Sequence, residues 1–449
     1  MTHTEQKVAP KINFLKALIS RQDNFEMLTN SPQRFPDLLT IHFPGVKLYL
    51  VHNPALVQHI LQKNHLNYVK DRGYRVLGLL LGKGLITNED SASWRKQRTL
   101  MQPSFHRESL QKISEVVVSS TERLLQSWKG KEGTVINFTE EMAWLTIDIV
   151  SKAMFTTDVT EEDIKMTWRN INYLNNEASR MLKNPFHLPW NLPLPRYIKA
   201  RKCIAELDAL IYGIIQKRKL QKNPPHDLLQ LLMEARYEDT GEGMTDLQIR
   251  DELMTIFAAG HETTVNALSW TWYLLKQNAD CENALLEESV KFAKNRNPGF
   301  ADLPLLEYGK QVMNESMRLY PPVAALGRKV ANDDDTSGYQ FKSGSIIGIN
   351  ISGLHHHPAY WENPFEFKPE RFKNFEVKGD NRFIFMPFGA GPRICIGNSF
   401  AMMEMQLVNA MLSAWVEMEL VSRDIKPIPM VTLKPGDGVI MRLKTVKTN

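Results

Sequence analysis

Residues 387–401 read "PFGAGPRICIGNSFA", and Cys395 stands there among Gly389, Gly391 and Gly397, with Arg393 two positions before it. The chain has three cysteines, Cys203, Cys281 and Cys395, odd in number and far apart. That count argues against a disulfide framework and suits a reducing cytoplasm, so each thiol is read on its own. Glycines on both sides let main chain approach another group closely. The helix starting in "SFAMMEMQLVNAMLSAW" turns its N-terminal dipole toward the sulfur and favours the thiolate. The residues alone leave open a buried structural cysteine, or a zinc ligand with no second cysteine nearby.

Outward from this stretch, the 449 residues are 43% hydrophobic and 23% charged, an ordinary globular composition with material for a large core. A formal charge of +5 is small for this length and does not announce a nucleic-acid binder. The start, "MTHTEQKVAPKINFLKALIS", has neither a signal peptide's pattern nor a spanning apolar run, so no membrane anchor is expected. Periodicity is mostly helical, with a few short strands and no repeats. "LLTIHF" and "KLYLVH" around Pro44-Gly45 predict a hairpin, after which Asn53-Pro54 predicts an N-cap and first helical position. A second strand zone is expected from Val323 to about Gly353, and a final hairpin in "VTLKPGDGVIMRLK". The proline-rich segment 184–196 reads as a packed loop and part of a lid. One mixed, mainly helical domain over 1–449, with residues 1–25 a partly ordered N-terminal segment, accounts for these patterns.

Two helices carry chemistry-bearing pairs. The longer runs from Thr245 to about Gln277 behind a capping box of Thr245 and Gln248, and its middle reads "FAAGHETTVN". Ala258, Ala259 and Gly260 remove bulk from one turn, and Glu262, Thr263 and Thr264 compete with helical hydrogen bonding on the next. A close helix crossing with a solvated Glu262 is the plain alternative. In "LLEYGKQVMNESMRLY", Glu315 and Arg318 share a helix face; Arg371, from "KPERF", could join them in a buried bidentate network, although an exposed ion pair is the commoner outcome.

In chain order these stretches are A-G-x-E-T, E-x-x-R, P-E-R-F and F-x-x-G-x-R-x-C-x-G, the last filled by Phe388, Gly391, Arg393, Cys395 and Gly397. Upstream, "SWRKQRTLMQPSF" adds W-x-x-x-R as Trp94 and Arg98. The series resembles the cytochrome P-450 family of haem-thiolate monooxygenases, of the soluble bacterial type, across most of the chain. The resemblance implies a single-domain fold, mainly α with small β-sheets, whose long central helix lies over haem b (iron protoporphyrin IX). It makes Cys395 the proximal iron ligand, tuned by N–H groups of its loop and shielded by Phe388. Trp94, Arg98 and Arg393 would hold the haem propionates, as Arg328 and His355 would at further matching positions. The tract His355 to His357 otherwise reads as a solvated turn before Pro358. Glu262 and Thr263 match the family's acid and alcohol pair, which delivers protons during use of O2. No room remains for a flavin or iron-sulfur domain, so electrons from NAD(P)H are expected through a ferredoxin or flavodoxin and its reductase, received near Arg95 and Lys96. The protein is expected as a cytoplasmic monomer.

Substrate is the least legible part. Phe257, Ala258, Ala259, Val323, Leu326 and Thr432 are candidate pocket walls, mostly apolar or small. "TWRNINYLNNEASR" holds Asn170, Asn172, Asn175 and Asn176 with Arg169 and Arg180. If these faced inward, they would suit oxidative O-demethylation of a polar methyl ether such as a methylated sugar; an apolar lining would suit a fatty acid, terpene or steroid. A peroxide-dependent oxygenase and a non-enzymatic haem ligand-binding protein are the rivals.

Overall fold

Alternation along "LLTIHF" and "VKLYLV" fixes two faces of one sheet. Leu38–Phe43 pairs antiparallel with Val46–Val51, placing Leu38 opposite Val51 and Leu39 opposite Leu50. Leu38, Tyr49 and Val51 enter one apolar cluster, while Leu39, Ile41 and Leu50 enter another, so this sheet is covered on both faces. The computed structural model describes residues 10–13, 24–43, 46–156, 160–183, 188–225, 227–237, 240–293 and 296–447. The Pro44-Gly45 turn and residues 184–187 of the proline-rich segment lie outside them.

The chain divides into two compact units. The first contains residues 1–73, 314–395 and 426–436. Its main sheet has the spatial order Lys11–Asn13, Leu38–Phe43, Val46–Val51, Ile346–Asn350, Ala325–Val330, Tyr68–Val69. Asn53 caps the helix Pro54–Gln58, its Oδ1 accepting from the main-chain N–H of Ala55 and Leu56 at 2.9 and 3.1 Å. That helix widens at once into a π-helical turn, His59–Lys63. In the expected second strand zone, the strands end at Asn350 and a short helix, Ile351–His355, follows.

The second unit contains residues 74–313, 396–425 and 437–449. The helix Asp246–Gln277 begins with the expected capping box: Thr245 Oγ1 accepts from Gln248 N, and Gln248 Oε1 from Thr245 N. It runs antiparallel to Phe138–Phe155, with Phe138 against Trp272 at one end and Phe155 against Phe257 at the other. Asn409, on the helix Asn398–Trp415, accepts from Trp272 Nε1 at 2.9 Å.

The final hairpin is a correction. Leu433–Pro435 pairs with Pro427–Pro429, whereas Ile440–Val446 pairs with Val416–Leu420 and Val135–Asn137. Gly438, at φ +94°, has no room for a Cβ, which would lie 2.7 Å from Asn137 Oδ1. The glycines between the two strands therefore carry the chain from one sheet to another. No described helix is long and apolar enough to cross a membrane.

Candidate active site

Glu315 and Arg318 sit on the helix Glu307–Leu319, and both side chains are 0% exposed. Burial demands that every lone pair and proton find a partner, and here they do. Arg318 Nε and Nη2 donate to the two Glu315 oxygens at 2.7 and 2.8 Å, while Arg371 Nε and the N–H of Lys368 donate to Oε1 at 2.8 and 2.9 Å. The remaining Arg318 donors meet the carbonyls of His355, Pro364 and Glu366. Glu315, Arg318 and Arg371 thus form one buried bidentate network that fixes the chain leading to the cysteine loop.

In that loop, Cys395 is exposed, while Cys203 is buried and Cys281 intermediate; none is in a disulfide. Cys395 N donates to Phe388 O at 3.0 Å, closing the turn, and the helix Asn398–Trp415 starts three residues later. Gly391, at φ +73°, seats the loop: a Cβ there would lie 1.9 Å from the main-chain oxygen of Leu61 in the π-helical turn. Only glycine fits both that conformation and that approach. Nearby, Arg382 reaches Gln62 Oε1 at 2.9 Å. Leu61 is a support that sequence reading missed, because π-turns have no clear composition signal.

Of the expected anion-facing residues, Arg328 and Trp94 are buried, and Arg393 and Arg98 are partly exposed. The Arg98 guanidinium lies 5.7 Å from the Trp94 ring centroid. His355 is a correction. Its Nδ1 faces Met317 O at 3.3 Å and its Nε2 accepts from Met386 N at 3.0 Å, so both nitrogens are spent on main chain and neither serves a propionate. Nor are His355 to His357 a solvated turn: all three are buried and bonded to main chain. Burial holds His355 well below the usual imidazole range and pushes His356 down to about 3. Among the described residues, no group of three or more His, Cys, Asp or Glu is placed to hold a metal ion.

Between Ile249 and Leu275 the long helix is buried, with one interruption. Ile256, Ala259, Gly260 and Thr263, spaced i, i+3, i+4, i+7, are partly open, as is Ala258, whereas Phe257, His261, Glu262 and Thr264 are buried. The Thr263 and Thr264 hydroxyls donate to the carbonyls of Ala259 and Gly260, at 2.7 and 3.0 Å. With its proton committed, the Thr263 oxygen can only accept. Glu262 is 3% exposed and accepts from Asn175 Nδ2. Val323 and Leu326 pack against the first unit's main cluster, and Thr432, in the same unit, is buried.

Several polar groups of the asparagine-rich segment are bonded within the protein. Asn170 is buried and donates to Glu206 at 2.8 Å, Arg169 and Arg180 reach Glu206 and Glu177, and Asn175 serves Glu262. Sequence reading also missed Glu404, fully buried on the helix Asn398–Trp415 and pushed well above the usual carboxyl range by that burial. Among the described residues no donor is bonded to its oxygens, and the Thr264 hydroxyl, which donates to Gly260 O, offsets the effect of burial only in part. Its signal was an acid inside the apolar run "AMMEMQL".

A family model described as "Cytochrome P450" matches residues 8–438. Cyclooctatin synthase of Streptomyces melanosporofaciens is 32% identical over 425 residues, covering 94% of this chain and 91% of that protein. Pentalenene oxygenase of Streptomyces avermitilis is 29% identical over 411 residues, covering 91% and 90%. The chloroplastic carotene epsilon-monooxygenase of Arabidopsis thaliana is 28% identical over 424 residues, covering 88% and 77%.

Proposed function

The chain belongs to the cytochrome P450 family of haem-iron monooxygenases, and from that premise we propose that it hydroxylates an apolar, terpene-class substrate with Cys395 as the thiolate ligand. The observation that carries the substrate reading is the partly open stripe Ile256, Ala259, Gly260 and Thr263 in the buried middle of the long helix. Its one polar group is a hydroxyl, so the wall it offers suits a hydrocarbon skeleton. Relatives named for pentalenene and carotene support the same class. A methylated sugar would need open polar partners, and those of the asparagine-rich segment that have partners find them within the protein.

The residues fit a haem. Cys395 is an exposed thiol on a loop braced by Gly391 and followed by a helix N-terminus, which favours thiolate. When bound, haem supplies a thiolate-ligated iron at which O2, two electrons and two protons convert R–H to R–OH and water. Trp94, Arg98, Arg328 and Arg393 would bind its propionates by charge-assisted hydrogen bonds. Thr263 Oγ1 holds, as an acceptor, the donor group that brings each proton, and Glu262 carries protons on its carboxylate oxygens. Members of the family act with redox partners on small substrates; here a ferredoxin or flavodoxin and its reductase would relay electrons from NAD(P)H, docking near the exposed Arg95 and Lys96. One family model spans both compact units, so we take residues 1–449 as one functional domain, acting as a cytoplasmic monomer.

The test is product formed per NAD(P)H consumed, for wild type and Thr263→Ala, with terpene hydrocarbons and methylated sugars as ligands. Wild type should shift spin state with the hydrocarbons, and Thr263→Ala should consume NAD(P)H while losing product. Equal coupling in both proteins would remove Thr263 from proton delivery. Turnover with peroxide at the donor-driven rate would point to a peroxygenase, and spin-state shifts confined to sugars would overturn the substrate class.

A further inference from the structure

We propose that Asn175 is a positioning residue that holds the Glu262 carboxylate and lets it change protonation state in place. The inference rests on the reading of Glu262 as the proton-carrying acid. Two contacts join the helix Glu161–Lys183 to this point of the long helix. The Trp168 ring meets His261 edge-on at 6.2 Å, and Asn175 Nδ2 donates to Glu262 Oε2. Trp168 and Asn175 are two turns apart and so share a face, which meets two consecutive residues of the long helix.

Glu262 is 3% exposed, so bulk water does not set its orientation; the groups bonded to it do. The kind of donor matters. A lysine or arginine would bind the charge about twice as strongly and oppose protonation. A neutral amide has a donor for the carboxylate and a carbonyl oxygen for the acid O–H, so it serves either state by turning over. The amide's own place is fixed from the same helix: Asn170 donates to Glu206, and the Tyr173 hydroxyl donates to Arg196 O at 3.1 Å, both on Pro195–Lys219. Where the Glu262 carboxylate sits therefore follows where the helix Glu161–Lys183 sits.

The test uses Asn175→Leu, Asn175→Gln, Glu262→Gln and the double variant Asn175→Leu/Glu262→Gln in the haem-loaded protein. Asn175→Leu should lower product per NAD(P)H roughly fivefold, the equivalent of one neutral hydrogen bond, and enlarge the solvent isotope effect, while substrate affinity by spin-state titration stays within about twofold. Asn175→Gln should recover part of the coupling. Thermal midpoints of wild type, Asn175→Leu, Glu262→Gln and the double variant should be non-additive, a readout independent of turnover. Additive midpoints, or an Asn175→Leu loss that persists at full size in the Glu262→Gln background, would overturn the proposal. So would a fall in substrate affinity with coupling intact, which would make Asn175 a substrate contact. If Glu262→Gln itself leaves coupling unchanged, the proton-carrier reading fails and this inference with it; if Glu262→Gln uncouples and Asn175→Leu does not, only this inference fails.

Discussion

Replacing Glu315 by Gln keeps the side chain's shape and removes its charge from the fully buried network. Four donors converge on its two oxygens: Nε and Nη2 of Arg318, Nε of Arg371 and the Lys368 N–H. The amide would retain one acceptor and present its own N–H₂ to those donors. Arg318, also fully buried, would keep only neutral carbonyls as partners. Removing one member of a buried pair costs about 3–5 kcal/mol, because an uncompensated charge remains. Against a typical total of about 5–15 kcal/mol, that is a large fraction of the fold's stability. The Arg318 guanidinium lies 5.2 Å from the Trp361 ring centroid, so urea unfolding followed by tryptophan fluorescence samples this region. Glu315→Gln should lose at least 3 kcal/mol by that scale, and more than Arg371→Ala, whose side chain is partly exposed and gives Glu315 one bond. A loss below about 1 kcal/mol, which is what an exposed pair contributes, would mean that Glu315 does not compensate a buried charge.

Gly391→Ala and Gly389→Ala share φ near +73° and so a similar conformational penalty, but only at Gly391 would the Cβ strike main chain, at Leu61 O; at Gly389 the nearest atom is Leu326 Cδ1, 3.7 Å away. Haem bound per protein should therefore collapse in Gly391→Ala and fall only modestly in Gly389→Ala; equal losses would remove the π-turn's role. Glu404 keeps in the folded state a proton that the unfolded chain releases above about pH 4.3, so its contribution falls as pH rises from there. Glu404→Gln should melt above wild type at pH 8, with the gap narrowing toward pH 4; a lower melting point at pH 8 would contradict this. Burial lowers His52 to about 4 and His356 to about 3, and holds His355 well below the usual imidazole range, so their stabilisation is complete above about pH 6.5 and is lost as pH falls below it. Each should cost roughly a kcal/mol per pH unit, and His356→Gln should flatten the acid limb of a melting-temperature profile; an unchanged slope would count against a neutral His356.

Local rules read much of this fold because several elements are fixed by their own residues. The Asn53 cap, the Thr245–Gln248 box and the alternation in Leu38–Phe43 each follow from neighbours a few positions away. Elsewhere distant residues decide. "LKPGDGVIM" resembles a hairpin turn, yet Asn137 limits the space at Gly438 and the flanking strands find other partners. The histidine tract looked solvated because three polar residues precede a proline; Met317 O, Ser352 O and Pro36 O supply partners that let them be buried. Glu315 with Arg318 was legible as spacing, but its burial depended on carbonyls from Pro364 and Glu366. The asparagines of "NINYLNN" were legible as polar groups, and only the packed helices reveal that Asn175 serves Glu262.

The proposed chemistry depends first on Cys395 supplying the thiolate to haem iron. The ferrous carbon-monoxide difference spectrum of the haem-loaded protein, recorded beside Cys395→Ser, tests it most directly. A thiolate ligand should give wild type a strongly red-shifted Soret band that disappears in the variant. An intact, fully haem-loaded wild type without that band, or a Cys395→Ser protein that retains it, would contradict the assignment.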